Sequence, residues 1–178
     1  MKIKYLSFGL KAKSGRNNQG RKTVLHRIQG HKKRYRIIDF YRNLSAEFCL
    51  VIDIFKDPNR TAHIALICTK SGILSYIIAV NGLKKNTFIT PGVPRLGSVT
   101  TLCNLYIGCI ISSLEISQNY GAKLIRAAGC FGVITSYSFA QNEQNCIVKL
   151  PSGEERLFHA NSTAAVGRNS NLGHHLIR

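Results

Sequence analysis

From Arg36 onward apolar and polar residues alternate in short runs, and almost every run ends at a turn signal. No other feature narrows the available folds as far, because a period of two belongs to strands and a period of 3.6 to helices. Arg36 to Phe40 and Glu47 to Ile54 read as strands. Asp57-Pro58-Asn59-Arg60 reads as a turn, with proline presetting φ and the Asp and Asn side chains able to bond nearby backbone. The next strand runs from Thr61 to Thr69, and Lys70-Ser71-Gly72 loops into Ile73 to Val80, a stretch rich in β-branched residues. Turn signals at Asn81-Gly82 and Thr90 to Pro94 place a module boundary near Arg95 to Gly97. A second set of strands then covers Val99 to Leu102, Ile107 to Ile116, Phe131 to Phe139, Cys146 to Leu150 and Glu155 to Ala160, with Pro151-Ser152-Gly153 turning the last pair. No amphipathic helix of three turns is present, so the predicted class is all-β.

The first 36 residues differ in kind. They show no sustained period, and Gly9, Gly15, Gly20 and Gly30 interrupt a dense run of basic residues, the composition of an irregular arm. Of the 25 basic residues, 13 fall in the first 42 positions against a single carboxylate, Asp39; the other 136 positions hold 12 basic and 7 acidic residues. The formal charge of +17 repels itself unless a polyanion offsets it.

Other readings have less support. Met1-Lys2-Ile3-Lys4-Tyr5 lacks the apolar stretch of a secretory leader, and the uncharged run from Leu96 to Leu114 carries too many Ser, Thr, Asn and Gly residues for a membrane span. Cys49, Cys68, Cys103, Cys109, Cys130 and Cys146 never form a C-x-x-C pair and lie mostly in apolar runs, so they read as reduced core thiols in a reducing compartment. The eight carboxylates form no acid/base or metal motif. Cys146 with His159 is the one imaginable nucleophile and base, though no nucleophile elbow accompanies them. His174-His175 reads as a solvent or RNA contact in preference to a metal pair. The chain is expected to be no enzyme.

The densest candidate site comprises Arg16, Asn17, Asn18, Arg21 and Lys22, then His26 and Arg27, then His31, Lys32, Lys33, Arg34 and Arg36. Guanidinium forks and ammonium groups neutralise phosphates, intervening glycines let backbone N–H groups approach, and Asn reaches 2′-hydroxyls or base edges. A second candidate is Asn119 to Gly129, with basic Lys123 and Arg126, which reads as a loop or short helical turn. A free module gripping single strands through barrel aromatics is the competing binding mode.

Ser14-Gly15-Arg16-Asn17-Asn18-Gln19-Gly20-Arg21, Thr23-Val24, His26-Arg27, Gly30-His31-Lys32, Arg34-Tyr35-Arg36 and Ile38-Asp39-Phe40 closely resemble the bacterial-type large-subunit ribosomal protein family L2. Asp57-Pro58-Asn59-Arg60, Ile64-Ala65-Leu66, Tyr76-Ile77, Gly82-Leu83-Lys84, Leu124 to Gly129, Leu150 to Glu154 with Arg156, and Gly167 with Asn171-Leu172 continue the resemblance in order. It implies a basic arm over residues 1–36, an RNA-binding OB-fold over 37–96 and an SH3-like barrel with tail over 97–178. It also implies rRNA contacts along Arg16 to Arg36 and Gly121 to Gly129, so that Lys123, Arg126 and Gly129 join the candidate RNA-binding residues; Arg60, in the matching Asp57 to Arg60 turn, and Arg168, beside the matching Gly167, are taken with them. The implied role is structural: binding large-subunit rRNA among other ribosomal proteins, and supporting subunit association, tRNA binding and the peptidyl-transferase region, whose catalyst is RNA. No cofactor is implied beyond Mg2+ held through the rRNA.

Three departures stand out. Ile28-Gln29-Gly30 occupies a place where the family has three glycines, and Tyr120-Gly121-Ala122-Lys123 one where it has paired glycines. The sequence stops at Ile177-Arg178 where the family continues into a glycine- and histidine-rich extension, which leads to the expectation of a shortened organellar form or of a separate chain supplying that part. Frequent Ile and Asn, absent Trp and cysteine at aliphatic positions point to a mitochondrial ribosome, with plastid or bacterial ribosomes as the alternative.

Overall fold

Charge and glycine leave the N-terminal arm little to bury, yet it is not wholly irregular. The computed structural model describes residues 3–11, 13–27, 30–42, 48–140 and 143–177, and the chain divides into two units, Met1–Ile37 and Ile38–Arg178. Within the first, β1 (Ser7–Gly9) pairs antiparallel with β2 (Arg34–Arg36), and Phe8 lies opposite Tyr35. Their ring centroids are 5.2 Å apart, the kind of cross-strand aromatic pair that can close a long loop. A three-residue ladder between positions this distant in sequence leaves no local period, which is why pattern reading misses it. The expected strand from Arg36 to Phe40 is correspondingly absent as such. Regular pairing stops at Arg36, Ile38 alone bridges to Tyr76, and Asp39 Oδ1 turns the chain by accepting the Arg42 N–H at 2.8 Å.

The second unit opens with β3 (Cys49–Phe55), β4 (Ile64–Thr69), β5 (Leu74–Ile78) and β6 (Phe88–Ile89), an antiparallel sheet in the order β5-β4-β3-β6. The expected strand start at Glu47 lies outside the described residues. Cys49, Val51, Ala65, Ile67, Ile77, Ala79 and Ile89 fill its inner side, and a register shift between Val51 and Asp53 curls it. Toward one end β4 and β5 are buried on both faces: Ile64, Leu66, Tyr76 and Ile78 are as enclosed as the inner residues.

The second module holds β7 (Val99–Thr101), β8 (Ile110–Ser112), β9 (Leu114–Glu115), β10 (Ala122–Leu124), β11 (Gly132–Ala140), β12 (Glu143–Lys149), β13 (Glu155–His159) and β14 (Thr163–Val166). Six of these form one sheet, β13-β12-β11-β8-β14-β7, and β9 pairs with β10 apart. Leu102, Ile111, Leu114, Ile134, Cys146, Val148 and Phe158 anchor its core. The two curled sheets are of OB-fold and SH3-like type, and the all-β class holds.

Local pattern missed or blurred three elements here. The run from Ile107 to Ile116 is split by Ser113 at φ 48°; β14 has a sequence too short and small to show a period; and β10 lies inside the segment read as a loop or helical turn. Glu115 joins these parts. Its buried carboxylate accepts the N–H of Gly121 on Oε1 and that of Thr163 on Oε2, each at 3.0 Å. The segment after β14 lies along the first sheet: Asn81 N–H donates to Arg168 O at 2.7 Å, and Ser170 N–H to Ala79 O at 3.0 Å. Gly167 sits at φ +110° where a Cβ would come within 2.5 Å of Val80 Cγ1, so this approach needs glycine.

Candidate nucleic-acid interface

In the arm, short-range polar chemistry shapes the basic turn. Asn17 Oδ1 accepts the N–H groups of Gln19 (3.0 Å) and Arg21 (2.9 Å), and Asn17 N–H donates to Arg21 O at 2.9 Å. This Asx-type turn exposes Arg16, Asn18, Arg21 and Lys22 and leaves Asn17 half-buried as its pivot. Asn17 therefore acts first on the loop's shape. Gly15, at φ +74°, accepts the N–H groups of Thr23 (2.9 Å) and Val24 (3.1 Å), and a Cβ there would lie 2.2 Å from Val24 O. His26, Arg27, His31, Lys32, Lys33 and Arg34 are exposed, and Arg36 is half-buried. Strand alternation puts Arg34 and Arg36 on one face of β2 and Tyr35 on the other.

In the second unit the predicted residues converge on one loop, residues 125–130. Phe40 is the platform: the Arg126 guanidinium lies 4.8 Å from its ring centroid and that of Arg60 lies 5.9 Å away. Arg60 Nε also donates to the buried Asp57 Oδ2 at 2.9 Å, which orients it. Arg168 stacks 4.8 Å from the Phe131 centroid and donates through Nε to Gly129 O at 2.6 Å. Lys123 Nζ lies 5.3 Å from the Tyr120 ring on the approach to the same loop. Arg60, Arg126, Gly129 and Arg168 are thus brought together from three separated segments, with Lys123 beside them.

The loop is held by groups that were not among the candidate RNA-binding residues. Thr61 Oγ1 accepts the Ala128 N–H at 3.1 Å, and Asn171 Nδ2 donates to Thr61 O at 2.6 Å. Buried Asn169 donates through Nδ2 to Ile125 O (2.9 Å) and Ala127 O (3.0 Å). Ile125 has φ +53°, a strained value for a β-branched residue, and such strain persists only where surrounding bonds over-determine it. The signal available in sequence was the polar run Asn169-Ser170-Asn171 after an apolar strand. Arg42 was also unremarked: it donates to Gly97 O at 3.1 Å, and burial pulls its guanidinium down to about 10, with Asp39 opposing.

The imagined cysteine nucleophile does not form. Cys146 pairs in register with Phe158 whereas His159 pairs with Asn145, so the two side chains point to opposite faces. Cys146 is fully buried and burial pushes its thiol up to about 11, away from a reactive thiolate. Among the described residues no group of three or more His, Cys, Asp or Glu could hold a metal, and no helix is long and apolar enough to cross a membrane.

Fold and site together define a class: a basic all-β chain of OB-type and SH3-like modules that presents cations on loops braced by backbone hydrogen bonds and aromatic platforms. Family models assign it further. Residues 3–90 match Ribosomal Proteins L2, RNA binding N-terminal domain, and residues 95–178 match Ribosomal Proteins L2, C-terminal domain. The chain belongs to the ribosomal protein L2 family. It is 40% identical over 174 residues to the large ribosomal subunit protein uL2c of Cyanidium caldarium, covering 96% of this chain and 62% of that one. It is 40% identical over 176 residues to uL2 of Parabacteroides distasonis (97% and 63%) and 38% identical over 178 residues to uL2 of Bacteroides thetaiotaomicron (98% and 64%). The chain spans a little under two thirds of the length of these relatives.

Proposed function

We propose that this protein is a structural constituent of a large ribosomal subunit that binds large-subunit rRNA and lies among other ribosomal proteins. The observation that carries the reading is the family match over residues 3–90 and 95–178, joined to the cationic loops just described. In it the arm (1–36) neutralises phosphates through Arg16, Arg21, Lys22, Arg27, Lys32, Lys33, Arg34 and Arg36. The OB-fold (37–96) and SH3-like barrel (97–178) present Arg60, Lys123, Arg126 and Arg168, with Gly129 permitting close backbone approach. Asn17, Asn18, His26 and His31 supply shorter-range polar contacts. The protein folds rRNA, supports subunit association and buttresses the peptidyl-transferase region; it does no chemistry, and Mg2+ enters only through the rRNA.

We place the protein in a ribosome of bacterial ancestry, and in the mitochondrion in particular. Plastid and bacterial relatives support the ancestry, and the composition rich in Ile and Asn and lacking Trp favours the organelle. The test is sedimentation of organelle lysate containing the tagged full chain, with sequencing of co-migrating RNA and mass spectrometry of the peak. Stoichiometric migration with large-subunit rRNA is expected, and the peptides identify the protein neighbours. A slow, rRNA-free position near the monomer mass would overturn the proposal.

A further inference from the structure

The outer face of the four-stranded sheet carries an apolar row that the proposed RNA contacts leave unused. Register sets Leu74, Cys68, Leu50 and Phe88 opposite one another on consecutive strands, and alternation from Leu50 adds Phe48 to the same face. The sheet's core lies on its other side. An antiparallel sheet with one buried face ordinarily turns polar residues to solvent on the second. Here Phe48 is 62% exposed and Phe88 69%, while Leu50, Cys68 and Leu74 are half-buried. The neighbouring row of this face behaves differently: Leu66 and Tyr76 are buried, and Ile38 bridges to Tyr76. Among the described residues, one row is covered and the next is left open.

Charge narrows what can cover it. Lys70, in the turn from β4 to β5, and Lys84 and Lys85, just before β6, are exposed around the row. The carboxylate on the same face, Asp53, belongs to the covered side and accepts the Ile54 N–H at 2.9 Å. Four strands about 4.8 Å apart make the row about 14 Å long, the reach of a single helix or strand. Phe48 and Phe88 present stacking planes at its edge, but Leu50, Cys68 and Leu74 between them offer neither a stacking plane nor donors for base edges, so single-stranded RNA would leave the middle of the row uncovered. We propose that this face docks an acidic amphipathic segment of a partner protein, its apolar side chains covering Phe48, Leu50, Cys68, Leu74 and Phe88 and its carboxylates meeting Lys70, Lys84 and Lys85.

A benzophenone side chain introduced at residue 88 of the full chain, irradiated in the native particle, tests this. The expected adduct is a partner peptide in which apolar residues alternate with carboxylates. Lys70→Glu, Lys84→Glu and Lys85→Glu together should lower its yield by about tenfold, since rim charges govern association. An adduct to RNA, to a second copy of this chain or to a peptide without carboxylates would overturn the proposal, as would a yield indifferent to charge reversal. So would the lack of any adduct with Phe88→Cys alkylated as fast in the particle as in the isolated chain. Residue 88 is largely exposed, so an unchanged urea midpoint serves as the folding control. Sedimentation with rRNA is read separately, so failure of the ribosomal reading and failure of this one are distinguishable.

Discussion

Replacing Phe40 by leucine separates the positioning of charge from charge itself. Phe40 carries two guanidinium groups on its ring, Arg126 at 4.8 Å and Arg60 at 5.9 Å, and is half-buried. Leucine keeps much of the apolar volume and removes the π face, while every charge stays in place. A cation–π contact at a partly exposed site contributes about 0.5–1 kcal/mol. Two of them, lost before RNA is bound, leave Arg60 and Arg126 to be ordered on binding, at a cost of about 1–2 kcal/mol in affinity, or roughly fivefold to thirtyfold. Arg60 keeps its bond to Asp57, which favours the lower half of that range. The assay is filter binding to the large-subunit rRNA recovered with the particle, followed over a salt titration. Phe40→Leu should shift the whole line of log K against log salt and leave its slope unchanged. Arg126→Gln should instead flatten the slope by about 0.9 if it removes one phosphate contact. A flattened slope for Phe40→Leu, or an affinity equal to wild type, would refute the platform role.

Other perturbations test the parts around this site. Gly15→Ala forces a Cβ to within 2.2 Å of Val24 O; it should deform the basic turn and weaken rRNA binding by about tenfold while the urea midpoint of the barrel unit stays put, since only arm residues are strained. Glu115→Ala orphans the N–H groups of Gly121 and Thr163 and should cost about 3 kcal/mol in urea unfolding; a loss below about 1 kcal/mol would mean water takes over the carboxylate's role. Burial raises Cys146 from 9.0 to about 11 and Tyr137 from 10.0 to about 12. Above pH 9 the unfolded chain releases these protons before the folded one does, so the folded state binds more protons and stability falls as pH rises from about 9 toward 11; above about 10 the lowered Arg42 guanidinium acts in the opposite direction and offsets part of the fall. Urea midpoints measured across that range should decline, and less steeply in Cys146→Ala; a flat profile would contradict the burial argument. At pH 8 the Cys146 thiol should resist alkylation until the chain unfolds.

Much of the β architecture was legible because strands with one buried face must alternate, and turns must spend Gly, Pro, Asn and Asp at fixed places. Thus Lys70-Ser71-Gly72 and Pro151-Ser152-Gly153 turn where their chemistry requires, and β3, β4, β5, β11, β12 and β13 fall within a few residues of the expected runs. Elements whose partners are remote were not legible. β1 with β2, and β14, are short, and each exists because a distant segment supplies its hydrogen bonds; β10 pairs with the nearby β9, but its three residues are broken by a register irregularity and so show no period.

The same division applies to function. Residue chemistry alone marked the cations, since a guanidinium or ammonium group is charged wherever it sits, and the long motifs from Ser14 to Phe40 and from Leu124 to Gly129 were sufficient to suggest the family. Tertiary structure decided which cations act together. Arg60, Arg126 and Arg168 come from segments scores of residues apart, and Phe40, Asp57, Thr61, Phe131 and Asn169 hold them or their loop in place. It also decided that Cys146 and His159 face apart and that, among the described residues, one apolar row stays open beside a covered one. Composition and period report what each residue can do with its near neighbours. Register, bulges and the closure of a sheet determine which distant residues become neighbours at all.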